Sequence, residues 1–356
     1  MTSQDITPLK VVAELEEVLR QTVVKPRVAP QATAGYAQLQ GGCWYLYGAT
    51  SEGDCGQPYD LASISKPFTA LVCSMLVAQQ QLAWTTPLGD VLPELRATWG
   101  GTKTIEQLLS HRSGLAAHRE LYARALSGAS IHRAEMIQLA AETKGRNVPN
   151  EEREHAPLYS DLGYMLVGRA IERITGDALD VVVQKMIGTP WSIAVGSART
   201  FLANDLSFSG RVVATEIQAR RGGMIRGMVH DDNAWALSGL ATSGHAGLFG
   251  SLEALLRFGV HLLDEEHSSL IAPLIKERPG GSLLMGFDGK SAGASSAGSR
   301  ASSRTFGHLG FTGTSLWCDP VQRRVSVLLT NRAFYGPRNK KIAPLRSFIH
   351  DFLWTC

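Results

Sequence analysis

Ser63-Ile64-Ser65-Lys66 sets a hydroxyl and an amine three residues apart. At helical spacing such residues share a face, so the Lys66 amine can reach the Ser63 hydroxyl. A serine hydroxyl is a weak nucleophile at neutral pH and needs an adjacent base. Lysine can be that base where burial or nearby positive charge lowers its pKa. At a helix start the serine also has free backbone N–H groups and the positive end of the helix dipole beside a developing oxyanion. Pro67 suits a first turn but disfavours helical geometry at Lys66, which leaves the first helical residue open. None of the other nine lysines has a serine three positions before it. By itself, however, the tetrapeptide also describes a capped helix with a surface lysine.

Two later elements could complete the chemistry. Tyr159-Ser160-Asp161 is the one tyrosine followed two residues on by Asp or Asn. A phenol near a lysine ammonium can titrate lower than usual and shuttle a proton between nucleophile and leaving group. Asp161 could hold Lys66 and orient substrate, or simply cap a helix. His308-Leu309-Gly310 lies on a late strand-like run, where glycine lets a substrate approach and a backbone N–H can complete an oxyanion hole. His245-Ala246-Gly247 repeats the His-x-Gly pattern, so that tripeptide alone means little.

The elements that must position these groups follow from periodicity. Pro8 to Val24 places Val11, Val12, Leu15, Val18 and Leu19 on one stripe, predicting an amphipathic helix. Strand-like runs at Tyr36–Leu39 and Cys43–Tyr47 flank Gly41-Gly42 as a hairpin. Ser63 to about Leu82 reads as a helix and Thr104–Ser110 as a short one; residues 133–187 are mostly helical, interrupted by the polar stretch Lys144–Glu154. Ser291–Ser303 is nearly all Ser, Ala and Gly, the composition of a flexible surface loop. Beyond it Phe306–Leu309, Thr314–Cys318 and Arg324–Thr330 alternate as strands, and Ile342–Trp354 closes the chain as an amphipathic helix. The predicted class is α+β: an antiparallel sheet formed by residues 1–62 and 240–356 and flanked by the terminal helices, with a mostly helical insertion over 63–239 that carries the nucleophile helix. The crevice between them is the natural site.

Taken in this order, Ser63-x-x-Lys66, Tyr159-x-Asp161 and His308-x-Gly310 resemble the serine β-lactamase and penicillin-binding-protein superfamily, with its Ser-x-x-Lys, Tyr-x-Asn and late-strand Lys-Thr-Gly. The likeness is closest to its class C-like branch of esterases, D-amino peptidases and amidases. It extends to Tyr59-Asp60-Leu61-Ala62 before the serine, to Thr104–Leu115 (TIEQLLSHRSGL) and to Gly247-Leu248-Phe249-Gly250-Ser251. The resemblance implies that Ser63 is acylated, that Lys66 is its base and Tyr159 the proton shuttle, and that His308 stands in place of the family lysine. It also implies an oxyanion hole of the Ser63 and Phe311 backbone N–H groups. It implies no metal and no organic cofactor.

Two departures bear on substrate. Asp161 replaces an amide with an acceptor-only carboxylate, and Leu309 replaces the hydroxyl residue that helps hold a substrate carboxylate. His308, unlike lysine, is not permanently cationic. These changes point to an esterase or an amidase of the cell-wall-peptide or muropeptide type. A true β-lactamase or D-Ala-D-Ala carboxypeptidase is the alternative, and a non-catalytic binder or sensor on the same fold a third. Residues 228–249 would frame the crevice, with His230, Asp232 and His245 as candidate substrate contacts.

Other readings are weaker. Gly289-Lys290-Ser291-Ala292-Gly293 matches a G-x-S-x-G elbow but is followed by the Ser/Ala/Gly tract instead of a helix. His111, His245 and the run His230-Asp231-Asp232-Asn233 lack zinc-protease spacing. A net charge of +3 on 356 residues gives no footprint for nucleic acid, and no run reaches the roughly 18 apolar residues of a membrane span. Five cysteines without paired spacing and an N-terminus without signal-peptide features predict a reducing cytoplasm. The partner expected is a small ester, amide or muropeptide; oligomeric state is left open.

Overall fold

The computed structural model describes residues 5–126, 132–146, 148–149, 155–336 and 339–356. Its main sheet has seven strands: β1 Lys10–Val11, β2 Ala32–Gln40, β3 Cys43–Thr50, β4 Asp288–Gly289, β5 Phe306–Leu309, β6 Ser315–Asp319 and β7 Arg324–Thr330, in the order β1-β3-β2-β7-β6-β5-β4. All pairings are antiparallel except β1 with β3. The β2–β3 hairpin closes through Gly41 and Gly42 at φ +57° and +85°. Two successive positive φ values match the right-handed twist of the flanking strands.

Alternation along the strands feeds two cores. One face sends Ala34, Tyr36 and Leu328 against α1 (Ala13–Leu19) and α7 (Ile342–Leu353), where Leu15, Leu19, Ile349 and Leu353 are buried. The opposite face sends Leu46, Val325 and Val327 against α6 (Leu252–Leu262), whose Leu252, Leu255 and Phe258 join the larger core. That helix lies close to the sheet where Gly35 pairs with Gly48. A Cβ on Gly48 would come 2.4 Å from Leu252 Cδ2, so the approach depends on glycine there.

The helix that follows Ser63, α2 (Ser65–Ala78), is buried along its first ten residues. It packs on α5 (Asp161–Thr175) and, through Phe68 stacked on Phe258 at 3.9 Å, on α6. The short α3 (Ile105–Leu109) starts from a capping box of Thr104 and Gln107, and α4 (Arg133–Glu142) lies beside α5.

Several expectations need correction. The first helix begins at Ala13, because Lys10 and Val11 pair with β3, and Val11 is 71% exposed and off the stripe. The polar interruption after Lys144 is partly outside the described residues. The Ser/Ala/Gly tract is not a loose loop. Ala297 and Ala301 are buried against Trp317 and Trp354, and Trp354 Nε1 donates to Ala297 O at 2.7 Å. Small side chains are what lets the backbone lie flat on two indoles. No helix follows Gly289–Gly293, which removes the elbow reading. Among the described residues, no helix is long and apolar enough to cross a membrane.

Candidate active site

Ser63 sits in a 3₁₀ turn, Ala62–Ile64, and α2 starts two residues later than the spacing predicts. Ala62 has φ +49°, a left-handed conformation that costs a residue with a Cβ about 1–3 kcal/mol. Asp60 holds this turn. Its Oδ1 accepts the Ala62 N–H at 2.8 Å and its Oδ2 the His230 N–H at 2.7 Å. From the sheet side, Thr312 donates to Asp60 O at 2.8 Å and Thr314 to Leu61 O at 3.1 Å.

Lys66 is fully buried, and its three N–H donors meet three oxygens: Ser63 Oγ at 2.9 Å, Asp161 Oδ1 at 2.7 Å and His245 O at 3.5 Å. Burial favours the neutral amine, but Asp161, followed by Tyr159, outweighs it and raises the Lys66 pKa above its ordinary value. Burial works against the Asp161 carboxylate too, yet Lys66, with the His118 imidazole 3.9 Å away, holds its pKa far below the usual range. The resting pair is therefore carboxylate and ammonium. This differs from the lowered lysine pKa that a resting base requires, because an aspartate stands where the family has a neutral amide.

Tyr159 is also placed beside the pair, with Lys66 Nζ 4.7 Å from its ring centroid. Burial raises the phenol pKa against the opposing effect of Lys66, so Tyr159 rests protonated, the reverse of the expected lowering. His111 supports the ring from behind, stacked at a centroid distance of 4.6 Å. Its Nδ1 accepts the Ser160 N–H at 3.0 Å, just before α5 begins at Asp161.

Across the cleft, β5 ends at Leu309. A Cβ on Gly310 would fall 1.9 Å from Thr314 Oγ1 and 2.6 Å from Leu61 O, so only glycine lets strand and nucleophile turn meet. Neither the Ser63 nor the Phe311 N–H has a backbone or side-chain acceptor among the described residues, and both residues line the cleft. Arg332 Nε donates to Phe311 O at 2.7 Å, and Arg346 Nη2 to Gly310 O at 2.7 Å and Thr314 O at 2.9 Å. His308 is buried beside Tyr159, 6.0 Å between ring centroids. Its Nδ1 donates to Leu309 O at 2.8 Å, and burial, then Lys66, pushes its pKa down to about 3. It is a neutral ring at pH 7.

The cleft holds about 520 Å³ and brings together Ser63, Tyr159, Asp161, His230, Asp232, Gly310 and Phe311. His245 does not line it. Its ring is tied to Ser243 Oγ and Asp231 Oδ1, both at 2.9 Å, and its contribution is the carbonyl that receives Lys66. His230 stacks on Phe311 at 5.5 Å and bonds Thr215 at 3.1 Å, while Asp232 is engaged by Arg220 and Arg221. His111, His230 and His245 thus face different partners. Asp60, His111, His118, Asp231, Arg332 and Arg346 escaped the sequence reading. Of these Asp60, His111 and Asp231 carried a signal, as members of the quoted segments.

The beta-lactamase family model matches residues 30–350. A protein of Escherichia coli (strain K12) with the provisional name D-alanyl-D-alanine carboxypeptidase is 28% identical over 308 residues, 78% of this chain and 69% of its own length. Among solved structures, EstCE1, a hydrolase with promiscuous acyltransferase activity, superposes at TM-score 0.70 with 19% identity, covering 95% of this chain and 98% of its own. A class C beta lactamase from Rhodobacter sphaeroides gives 0.67 with 15% identity, covering 96% and 100%. The matched span contains every cleft residue named above, and the chain is a serine hydrolase of the beta-lactamase family.

Proposed function

We propose that the chain hydrolyses an ester or amide through an acyl-enzyme on Ser63, in a cleft at the seam between the sheet part (1–62 and 240–356) and the helical part (63–239). The observation that carries this reading is the buried Lys66 ammonium shared by Ser63 Oγ, Asp161 and His245 O, with the Tyr159 phenol alongside. Once Lys66 has lost one proton, its amine takes the Ser63 proton as Oγ attacks the carbonyl carbon. The oxyanion settles between the unbonded Ser63 and Phe311 N–H groups. Tyr159 gives its proton to the leaving group and is recharged by Lys66. Water, activated by the same groups, then releases the acid.

A neutral His308 and an apolar Leu309 weaken the hold on a substrate carboxylate, which favours simple esters and amides over β-lactams. The carboxypeptidase reading draws on the provisional name of the Escherichia coli relative and on Arg220, Arg332 and Arg346 in the cleft lining. Five free thiols fit a reducing compartment, the cytoplasm. Mass spectrometry of the intact protein with a fluorophosphonate, p-nitrophenyl acetate, a muropeptide and a penicillin tests the reading. A mass adduct mapped to Ser63, lost in Ser63→Ala together with turnover, is the expected result. Turnover persisting in Ser63→Ala would overturn it.

A further inference from the structure

Outside the cleft, the end of α6 and the turn that follows it read His261-Leu262-Leu263-Asp264-Glu265-Glu266-His267. One nitrogen from each of the two imidazoles and one Asp264 oxygen lie within 4.8 Å of one another. His261 Nε2 is 3.2 Å from Trp191 O, and His267 Nδ1 is 3.2 Å from His261 O. A carbonyl only accepts, so each of these nitrogens carries the ring proton, and the other nitrogen of each ring keeps its lone pair. In His261 that other nitrogen, Nδ1, is buried and has no hydrogen-bond partner. A buried polar atom without a partner is rare and calls for an explanation. Trp191 braces both rings, at 4.8 Å from His261 and 4.5 Å from His267.

We propose that His261, Asp264 and His267 bind a divalent transition-metal ion of the zinc class. Two neutral imidazoles and a carboxylate suit zinc, cobalt and nickel better than calcium or magnesium, which prefer oxygen ligands throughout. Donation of the second ring N–H to a backbone carbonyl is the outer arrangement that metal-bound histidine uses. Donors in a tetrahedral zinc shell stand about 3.3 Å apart, and small rotations of the half-buried Asp264 and His267 close the difference. The ion would lock the end of α6 to the 3₁₀ turn Glu265–His267. With three protein ligands, a water completes the shell.

Cobalt(II) titrated into the full chain provides the probe. The expected result is one equivalent with visible d–d bands, no near-ultraviolet thiolate band, and displacement by zinc. His267→Ala and Asp264→Asn each weaken zinc binding at least tenfold and leave p-nitrophenyl acetate hydrolysis unchanged. Should one variant fail to fold by circular dichroism, the other carries the test. Absence of the visible bands, a thiolate band from the cysteines, or wild-type affinity in a folded variant overturns the proposal.

Discussion

Replacing Asp161 by the asparagine usual in the family tests what sets the protonation of Lys66. Asp161 Oδ1 lies 2.7 Å from Lys66 Nζ. At an effective dielectric of about 20, unit charges at that separation attract by about 6 kcal/mol, equivalent to about 4.5 pKa units. That is an upper bound: the Asp161 side chain is 20% exposed, and an asparagine oxygen can still accept from Lys66. The shift expected for losing a neighbouring carboxylate is about 1–3 units downward, and burial of Lys66 acts in the same direction. In the wild type the base must shed a proton whose pKa lies above its ordinary value. Its kcat/KM therefore climbs with pH from 6 to 10 without levelling. In Asp161→Asn the rise levels off inside that window. The assay is p-nitrophenyl ester hydrolysis across the range, corrected for the uncatalysed rate, with Lys66→Ala as the blank. The height of the plateau is not diagnostic, because Asp161 also helps orient the amine. An unmoved alkaline limb in a folded variant would show that Lys66 is not the titrating group, or that Asp161 does not govern it.

Two further predictions concern the frame of the site. Gly310→Ala places a Cβ 1.9 Å from Thr314 Oγ1 and 2.6 Å from Leu61 O. It should lower kcat/KM about 100-fold by moving strand against nucleophile turn while costing only about 1–3 kcal/mol of stability; activity within twofold of wild type would contradict this. His350 is wholly buried between the Ser315 and Ser326 hydroxyls, and burial, then Arg346, pushes its pKa down to about 3. A histidine with a depressed folded pKa loses stability as pH falls from its unfolded value near 6.5 towards 3. Going from pH 7 to pH 5 should thus cost about 2 kcal/mol at this residue. Urea midpoints at the two pH values should be less pH-sensitive in His350→Gln, though that variant is less stable at pH 7; an unchanged pH slope would count against the assignment.

The parts of the site legible in the sequence are those set by short spacing. Ser63 and Lys66 share a face because they are three residues apart, and Tyr159 and Asp161 straddle a helix start. Contacts between distant segments were not legible. The third acceptor of Lys66 is a carbonyl 179 residues away, and the Asp60 that fixes the nucleophile turn binds His230 over 170 residues. Proton positions were misread for a related reason. The ammonium beside Tyr159 could be inferred from motif order, whereas the burial that outweighs it depends on packing from α5, His111 and His308. The Ser/Ala/Gly tract misled because small residues fit both a floppy linker and a backbone pressed against indoles. Only the positions of Trp317 and Trp354 separate the two.

The cleft wall and the segment behind its lysine differ in how they could adapt. Residues 243–248 are stitched to α2 through Thr69 to Gly244 O, Lys66 to His245 O and Leu248 N–H to Ser65 Oγ. Any side chain that reshapes that segment also shifts the reacting lysine. The wall over 216–232 is fastened mainly by Arg220 and Arg221 on Asp232 and by the His230 N–H on Asp60. Substitutions at Glu216, Gln218 or Arg220 alter the cleft lining without touching Lys66. Divergence or laboratory selection for new acyl groups therefore has room on one side of the serine, while the other side is constrained by the proton chemistry itself.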